Sequence, residues 1–177
     1  GTKRLAIVVP ENGTLVLTLV GDARLVLTQA KLAELRLTGA SSTLELDASA
    51  SGSAVNAVQI DSVAGDFTGT RLGNLNAAQV TIGSIAGNYT LDFSGALDRR
   101  CDVILHSAFG DGTLRVAQTP GAQISIGSVL GHILSPGFTV RDGKVFLNST
   151  AATGAEQRLH VRIDSAIGQI QFVEVHS

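Results

Sequence analysis

The stretch VTIGSIAGNYTLDF, Val80 to Phe93, decides the fold, because its first half returns 44 residues later as ISIGSVLGHI, Ile124 to Ile133. With Ser84 as reference, the same pattern recurs in VQIDSVAGDF from Val58, VILHSAFGDG from Val103 and VRIDSAIGQI from Val161. The reference serines are Ser62, Ser84, Ser107, Ser128 and Ser165, with a degenerate copy, VFLNSTAA, at Ser149. An earlier copy, LRLTGASSTLEL, puts Gly39 in that place. Successive spacings of 23, 22, 23, 21, 21 and 16 residues make a self-similar period near 22, the signature of a solenoid.

The columns of this repeat carry the physics. Four residues before the reference stand Leu35, Val58, Val80, Val103, Ile124, Val145 and Val161. Two before it stand Leu37, Ile60, Ile82, Leu105, Ile126, Leu147 and Ile163. A spacing of two puts both aliphatic columns on one strand face. Arg36, Gln59, Thr81, Ser125 and Arg162 lie between them and face outward. A second aliphatic and aromatic run follows, with Leu44, Phe67, Tyr89, Ile133 and Ile170 five places past the reference. Each unit therefore reads as strand, corner, strand, return. The corner is assigned to the Ser and the Gly three places on, where glycine turns the chain cheaply and a hydroxyl can satisfy a freed backbone group.

The N-terminal part keeps the rhythm, with Leu15/Leu17, Leu25/Leu27, Leu35/Leu37 and Leu44/Leu46, and Gly21-Asp22 as a slipped corner. Asp142-Gly143 between alternating runs predicts a tight hairpin that decorates the coil. The expected fold is all-β: one domain over residues 1–177, a right-handed parallel β-helix-like solenoid of six to eight coils, less regular around 134–157. Right-handedness follows from the hand of parallel crossovers. The alternative is an antiparallel β-sandwich, which does not require equivalent residues to recur in columns.

Composition narrows the function classes. Hydrophobic residues make up 44% of the 177, charged residues 16% and aromatics 4%, and the net charge is −2. No basic run exists, so nucleic-acid binding has no electrostatic footprint. No apolar run is long enough to span a membrane as a helix, and no signal peptide is visible at the start. The single cysteine, Cys101, falls in a column with Asn56, Ala78, Ala122 and Leu159 and reads as a small core residue. His106, His132, His160 and His176 have no metal-ligand spacing, and no cofactor motif is present. LDRRCD, Leu97 to Asp102, reads as a solvated return loop. No catalytic constellation emerges, and the chain is expected not to be an enzyme.

One polar column stands just after the corner glycine: Asp66, Asn88, Asp111, His132 and Gln169. Stacked coils align it into a ladder, a candidate binding edge at Asp66, Asn88, Asp111 and His132 for a glycan or a cation. Sequential stacking places His132 and Asp111 about 5 Å apart. The calcium-binding nonapeptide of β-rolls is absent.

The segments NYTLDFSGA (Asn88 to Ala96), DVILHSAFGDGTLRV (Asp102 to Val116), AQISIGSVLGHI (Ala122 to Ile133) and LHVRIDSAIGQIQFVEV (Leu159 to Val175) resemble the Toastrack family of adhesin-like domains. That family includes the C-terminal domains of LiaF-type envelope-stress proteins. The resemblance implies a β-helix-like, non-catalytic structural or interaction domain tied to the bacterial cell envelope, extracytoplasmic, with no catalytic residues to transfer. The expected partner is a protein or a second copy, docked through a terminal coil. The apolar segments LAIVV (Leu5 to Val9) and IQFVEV (Ile170 to Val175) are the candidate ends. The alternative is a carbohydrate-binding or carbohydrate-active protein.

Overall fold

The computed structural model describes residues 10–40, 43–50 and 53–176. The chain alternates long and short strands: β1 (Gly13–Val20), β2 (Ala23–Val26), β3 (Lys31–Ala40), β4 (Leu44–Asp47), β5 (Ala54–Val63), β6 (Phe67–Thr70), β7 (Gln79–Ala86), β8 (Tyr89–Asp92), β9 (Cys101–Phe109), β10 (Gly112–Ala117), β11 (Gly121–Leu130) and β12 (Ile133–Leu134). A hairpin, β13 (Thr139–Arg141) and β14 (Val145–Leu147), and one helical turn, α1 (Ser149–Ala152), precede the last pair, β15 (Gln157–Ile167) and β16 (Ile170–Val175).

The long strands form a nine-stranded sheet in the order β1-β3-β5-β7-β9-β15-β11-β14-β13, and the short strands a seven-stranded sheet in the order β12-β16-β10-β8-β6-β4-β2. The seven long–short pairs are parallel within each sheet, so seven coils stack around one core. The fold is an all-β solenoid, and the antiparallel sandwich does not apply.

The aliphatic columns line the interior: Val58, Val80, Val103, Val161 and Ile124 pair across neighbouring strands, as do Ile60, Ile82, Leu105 and Ile163. A further core column lies outside the two aliphatic columns of the repeat. It holds Val63, Ile85, Ala108 and Ala166, all buried, one place past the reference serine. Inward residues thus fall at −4, −2 and +1, so the alternation slips by one at the Ser. The chain bulges there, and Gly83 and Gly127 accommodate it: a Cβ on either would lie 2.3 and 2.6 Å from the carbonyl oxygens of Asp61 and Asp164. β3 lacks the extra residue, so Thr38 rather than Gly39 pairs with Ser62.

The serines therefore do not form the corner. Ser62, Ser84, Ser107, Ser128 and Ser165 lie inside long strands, and the chain turns at the glycine three places on. Gly110, Gly168 and Gly131 have φ of 141°, 128° and 144°. A Cβ on Gly87, Gly110, Gly168 or Gly131 would lie 2.0 to 2.4 Å from the carbonyl oxygen of the corner glycine on the neighbouring coil. Gly21-Asp22 makes the matching corner of the first coil, with Gly21 at φ 81°.

Two expectations fail at the C-terminal end. Asp142 (φ 53°) and Gly143 (φ 67°) form the predicted hairpin turn, but this reverses the chain, so β14 runs antiparallel to β11. Phe146, not Val145, then faces Ile124, and Ser149 starts a helical turn rather than a corner. Phe146 and Phe138 pack on Phe172 with ring centroids 5.0 and 6.0 Å away, closing this end of the core. With the outer edge of β11 occupied, the last coil enters between β9 and β11 on one side and β10 and β12 on the other. Hence the final segment, Ile170 to Val175, is not the end strand of its sheet, because β10 pairs along one edge and β12 with Ile170 and Gln171 on the other. The segment Leu5 to Val9 lies outside the described residues.

Asn148 secures the insertion. Its Oδ1 accepts from the backbone N–H groups of Ala122 (3.0 Å) and Ala151 (2.9 Å), and its Nδ2 donates to the carbonyls of Ala117, Gln118 and Pro120. Ser149 donates its N–H to Glu174 of the inserted coil at 3.0 Å.

Substituting Gly110 or Gly168 by Ala should cost about 2 kcal/mol or more, because positive φ and a backbone collision add. Gly143→Ala, at positive φ but in open space, should cost about 1 kcal/mol. Urea denaturation of the three variants tests this ranking.

Candidate functional site

The corner ladder has seven rungs in space: Asp22, Thr43, Asp66, Asn88, Asp111, Gln169 and His132. Asp22 Oδ1 accepts the N–H of Thr43 at 3.1 Å, Asp66 Oδ1 that of Asn88 at 2.9 Å, Asn88 Oδ1 that of Asp111 at 3.1 Å, and Asp111 Oδ1 that of Gln169 at 3.0 Å. Each side chain thus satisfies an N–H that the turning backbone leaves without a strand partner. Gln169 of the inserted coil stands between Asp111 and His132, so these two are two rungs, roughly 10 Å, apart rather than adjacent. The structure gathers Asp66, Asn88, Asp111 and Gln169 along an open groove of about 320 Å³, which His132 does not line.

Beneath that groove, Tyr89 fills space that its neighbour leaves empty. Gly112 occupies the core column where the other coils carry Phe67, Ile170 and Ile133, and a Cβ on it would lie 2.0 Å from the Tyr89 ring. The Tyr89 hydroxyl is buried without a hydrogen-bond partner among the described residues. Burial pushes its pKa up to about 12, and the nearby Asp111 carboxylate adds to the rise.

The outer face of the nine-stranded sheet carries a second concentration of polar groups, built by the inserted coil. The first row is Gln79, Asp102, His160 and Gln123, on β7, β9, β15 and β11, each paired with the next. The second row is Thr81, Ile104, Arg162 and Ser125. Beyond them His106 Nδ1 lies 2.9 Å from Asp164 Oδ2, and Arg162 Nε donates to Asp164 Oδ1 at 2.7 Å. Arg162 holds the Asp164 carboxyl below the ordinary carboxylate range, with a smaller contribution from His106. Arg100 Nε donates to Asp102 at 3.1 Å. The whole first row, with Ile104, Arg162 and Ser125 of the second, lines an open groove of about 650 Å³. Sequential stacking hides this cluster, since His106 and Asp164 are 58 residues apart. The irregular 16-residue spacing before Ser165 is the one sequence signal that the last unit departs from the series.

On the same face, two places past the serines, Phe109, Ile167 and Leu130 form an apolar stripe on three adjacent strands. They are 52%, 44% and 67% exposed.

Cys101 is buried, and its thiol is pushed up to about 12 by burial, with Asp102 adding to the effect. That environment holds the neutral thiol, as a core slot requires. Arg99 and Arg100 are exposed on their loop, where Arg99 donates to Asn56 Oδ1 at 2.8 Å. Among the described residues no group of three or more His, Cys, Asp or Glu side chains converges on a metal position, and no helix is long and apolar enough to cross a membrane.

Comparison with known proteins adds fold information. No family model matches the chain, and no curated protein matches it. A solved structure of a "putative cell adhesion protein" from Clostridium sporogenes is similar, with a TM-score of 0.55 at 13% identity. The match covers 93% of this chain and 94% of that one. At this identity the likeness shows a shared fold.

Two measurements follow from the site. Tyr89→Phe removes an unsatisfied buried hydroxyl and should raise stability by about 1 kcal/mol in chemical denaturation. Asp164 has a folded pKa below its unfolded value of about 3.9. Its contribution is therefore present above about pH 4 and lost as pH falls through the lowered folded value. Asp164→Asn should accordingly narrow its stability gap to the parent as the pH falls below about 4.

Proposed function

We propose that this chain is a non-catalytic, adhesin-like interaction domain that acts at a bacterial cell envelope. The apolar stripe of Phe109, Ile167 and Leu130 carries this reading. Monomeric proteins scatter exposed large apolar side chains singly, whereas three in register on adjacent strands mark a contact surface. The shared fold with the clostridial protein and the Toastrack-like sequence segments support an adhesive role at an envelope. The partner is a protein surface or a second copy of the chain, and it docks on the stripe instead of on the last strand. Light scattering over a concentration series tests self-association. The parent should show concentration-dependent dimer formation that Phe109→Ser with Leu130→Ser abolishes. A strict monomer that also binds no protein from envelope extracts contradicts the reading.

A second reading places carbohydrate along the corner ladder of Asp66, Asn88, Asp111 and His132. The groove above the first three of these favours it. Glycan-array binding that disappears in the Asp111→Ala, His132→Ala double variant supports it, and an empty array with folded protein contradicts it.

A further inference from the structure

We propose that the outer face of the nine-stranded sheet holds a binding site for a linear, uncharged polysaccharide lying across β7, β9, β15 and β11, parallel to the solenoid axis. The site is separate from the apolar stripe and stands whether or not the stripe mediates association. It is also distinct from the corner ladder, whose Oδ1 atoms are already committed to backbone N–H groups.

The row Gln79–Asp102–His160–Gln123 presents one planar polar side chain on each of four consecutive strands. Parallel strands repeat about every 4.8 Å. That interval is close to the length of one pyranose unit in an extended β-1,4-linked chain, so successive sugars meet successive rungs, with neighbouring rings turned about the chain axis. Amide, carboxylate and imidazole groups each offer directional donors or acceptors suited to paired hydroxyls. The side chains of Gln79 and Thr81 make no hydrogen bond to other described residues. Gln123 holds only a long contact of 3.4 Å to Ser125. These groups are therefore available to a ligand.

The floor and the charge set the ligand class. Ile104, partly exposed in the second row, supplies an apolar platform for the C–H face of a sugar ring. Arg100 is neutralised by Asp102 and Arg162 by Asp164, at 3.1 and 2.7 Å. The face thus offers hydrogen bonding without a net field, which suits a neutral glycan and gives a polyanion no advantage. The groove's volume of about 650 Å³ and its open ends fit a few units of a long chain rather than an enclosed small molecule.

The test is affinity electrophoresis of the folded protein in native gels containing hydroxyethylcellulose, xylan, glucomannan or polygalacturonate, followed by calorimetry with di-, tetra- and hexasaccharides of the polymer that retards it. The expected result is retardation by at least one neutral polymer. Affinity should rise from disaccharide to tetrasaccharide and level off by the hexasaccharide, matching four rungs. Gln79→Ala with Gln123→Ala should weaken binding at least tenfold at unchanged melting temperature, and Gln123→Lys alone should do the same by blocking the row. Asn88→Ala should change it less than twofold. Retardation by none of the neutral polymers, retardation by polygalacturonate alone, or binding unaffected by both row variants overturns the proposal. Loss of binding in Asn88→Ala instead moves the glycan to the corner ladder and also overturns it. Dimer formation by the stripe is read by light scattering and is unaffected by any of these outcomes.

Discussion

The structure depends on the contact between corner glycines. In Gly87, Gly110, Gly168 and Gly131 the position of a missing Cβ is occupied by a carbonyl oxygen of the next coil. No other side chain allows coils to approach so closely at a turn with this backbone geometry. The glycine fixes where each long strand ends and therefore where the next residue, a ladder position, must sit. A polar side chain there closes the ladder by capping its neighbour's N–H. Five places past the serine the short strand begins, with its first inward residue in the core. From β5 onward, corner and ladder are thus consequences of one steric requirement repeated from coil to coil.

The same repetition explains why the molecule has surfaces rather than a deep pocket. Inward columns are filled mainly by aliphatic side chains, with aromatic rings such as Phe67, Tyr89 and Phe172 among them, so the core is packed along its length. What varies from coil to coil is displayed outward in rows spaced by the strand interval. The most varied part of that display is the region of β9, β15 and β11, where the inserted coil brings two histidines, two arginines and two aspartates onto neighbouring strands. The apolar stripe lies on the same three strands. Both candidate contact surfaces therefore arise from one topological event, and Asn148, with its five hydrogen bonds, holds the segment that makes it possible.

Much of this was legible in the sequence, and the limits have physical causes. The period of about 22 and the two aliphatic columns identify the solenoid, because burial imposes the same residue class at every coil. The Asp142-Gly143 hairpin was legible because both residues favour positive φ. The bulge was not: it shifts only the outward residues Asp61/Ser62 or His106/Ser107, and polar residues at both positions look like ordinary alternation. Ser and Gly recur together and look alike as corner residues in the repeat, whereas only Gly meets the steric need. The composition of the ladder was visible, but its order was not, since order depends on which coil lies beside which. A repeat alignment assumes that neighbours in sequence are neighbours in space. Here Asp111 meets Gln169 and His106 meets Asp164, each 58 residues away.

The insertion of the last coil is therefore the central claim, and disulfide trapping tests it most directly. In a Cys101→Ala background, Ser107→Cys with Ser165→Cys places the two thiols on paired residues of adjacent parallel strands. A strand separation of about 4.8 Å lies within the range a disulfide spans. Ser107→Cys with Ser128→Cys places them two strands apart, roughly 10 Å, beyond that range. The account predicts rapid oxidation to an intramolecular disulfide in the first variant and persistent free thiols in the second. The reverse result, with 107–128 closing and 107–165 staying open, means the coils stack in sequence order and contradicts it.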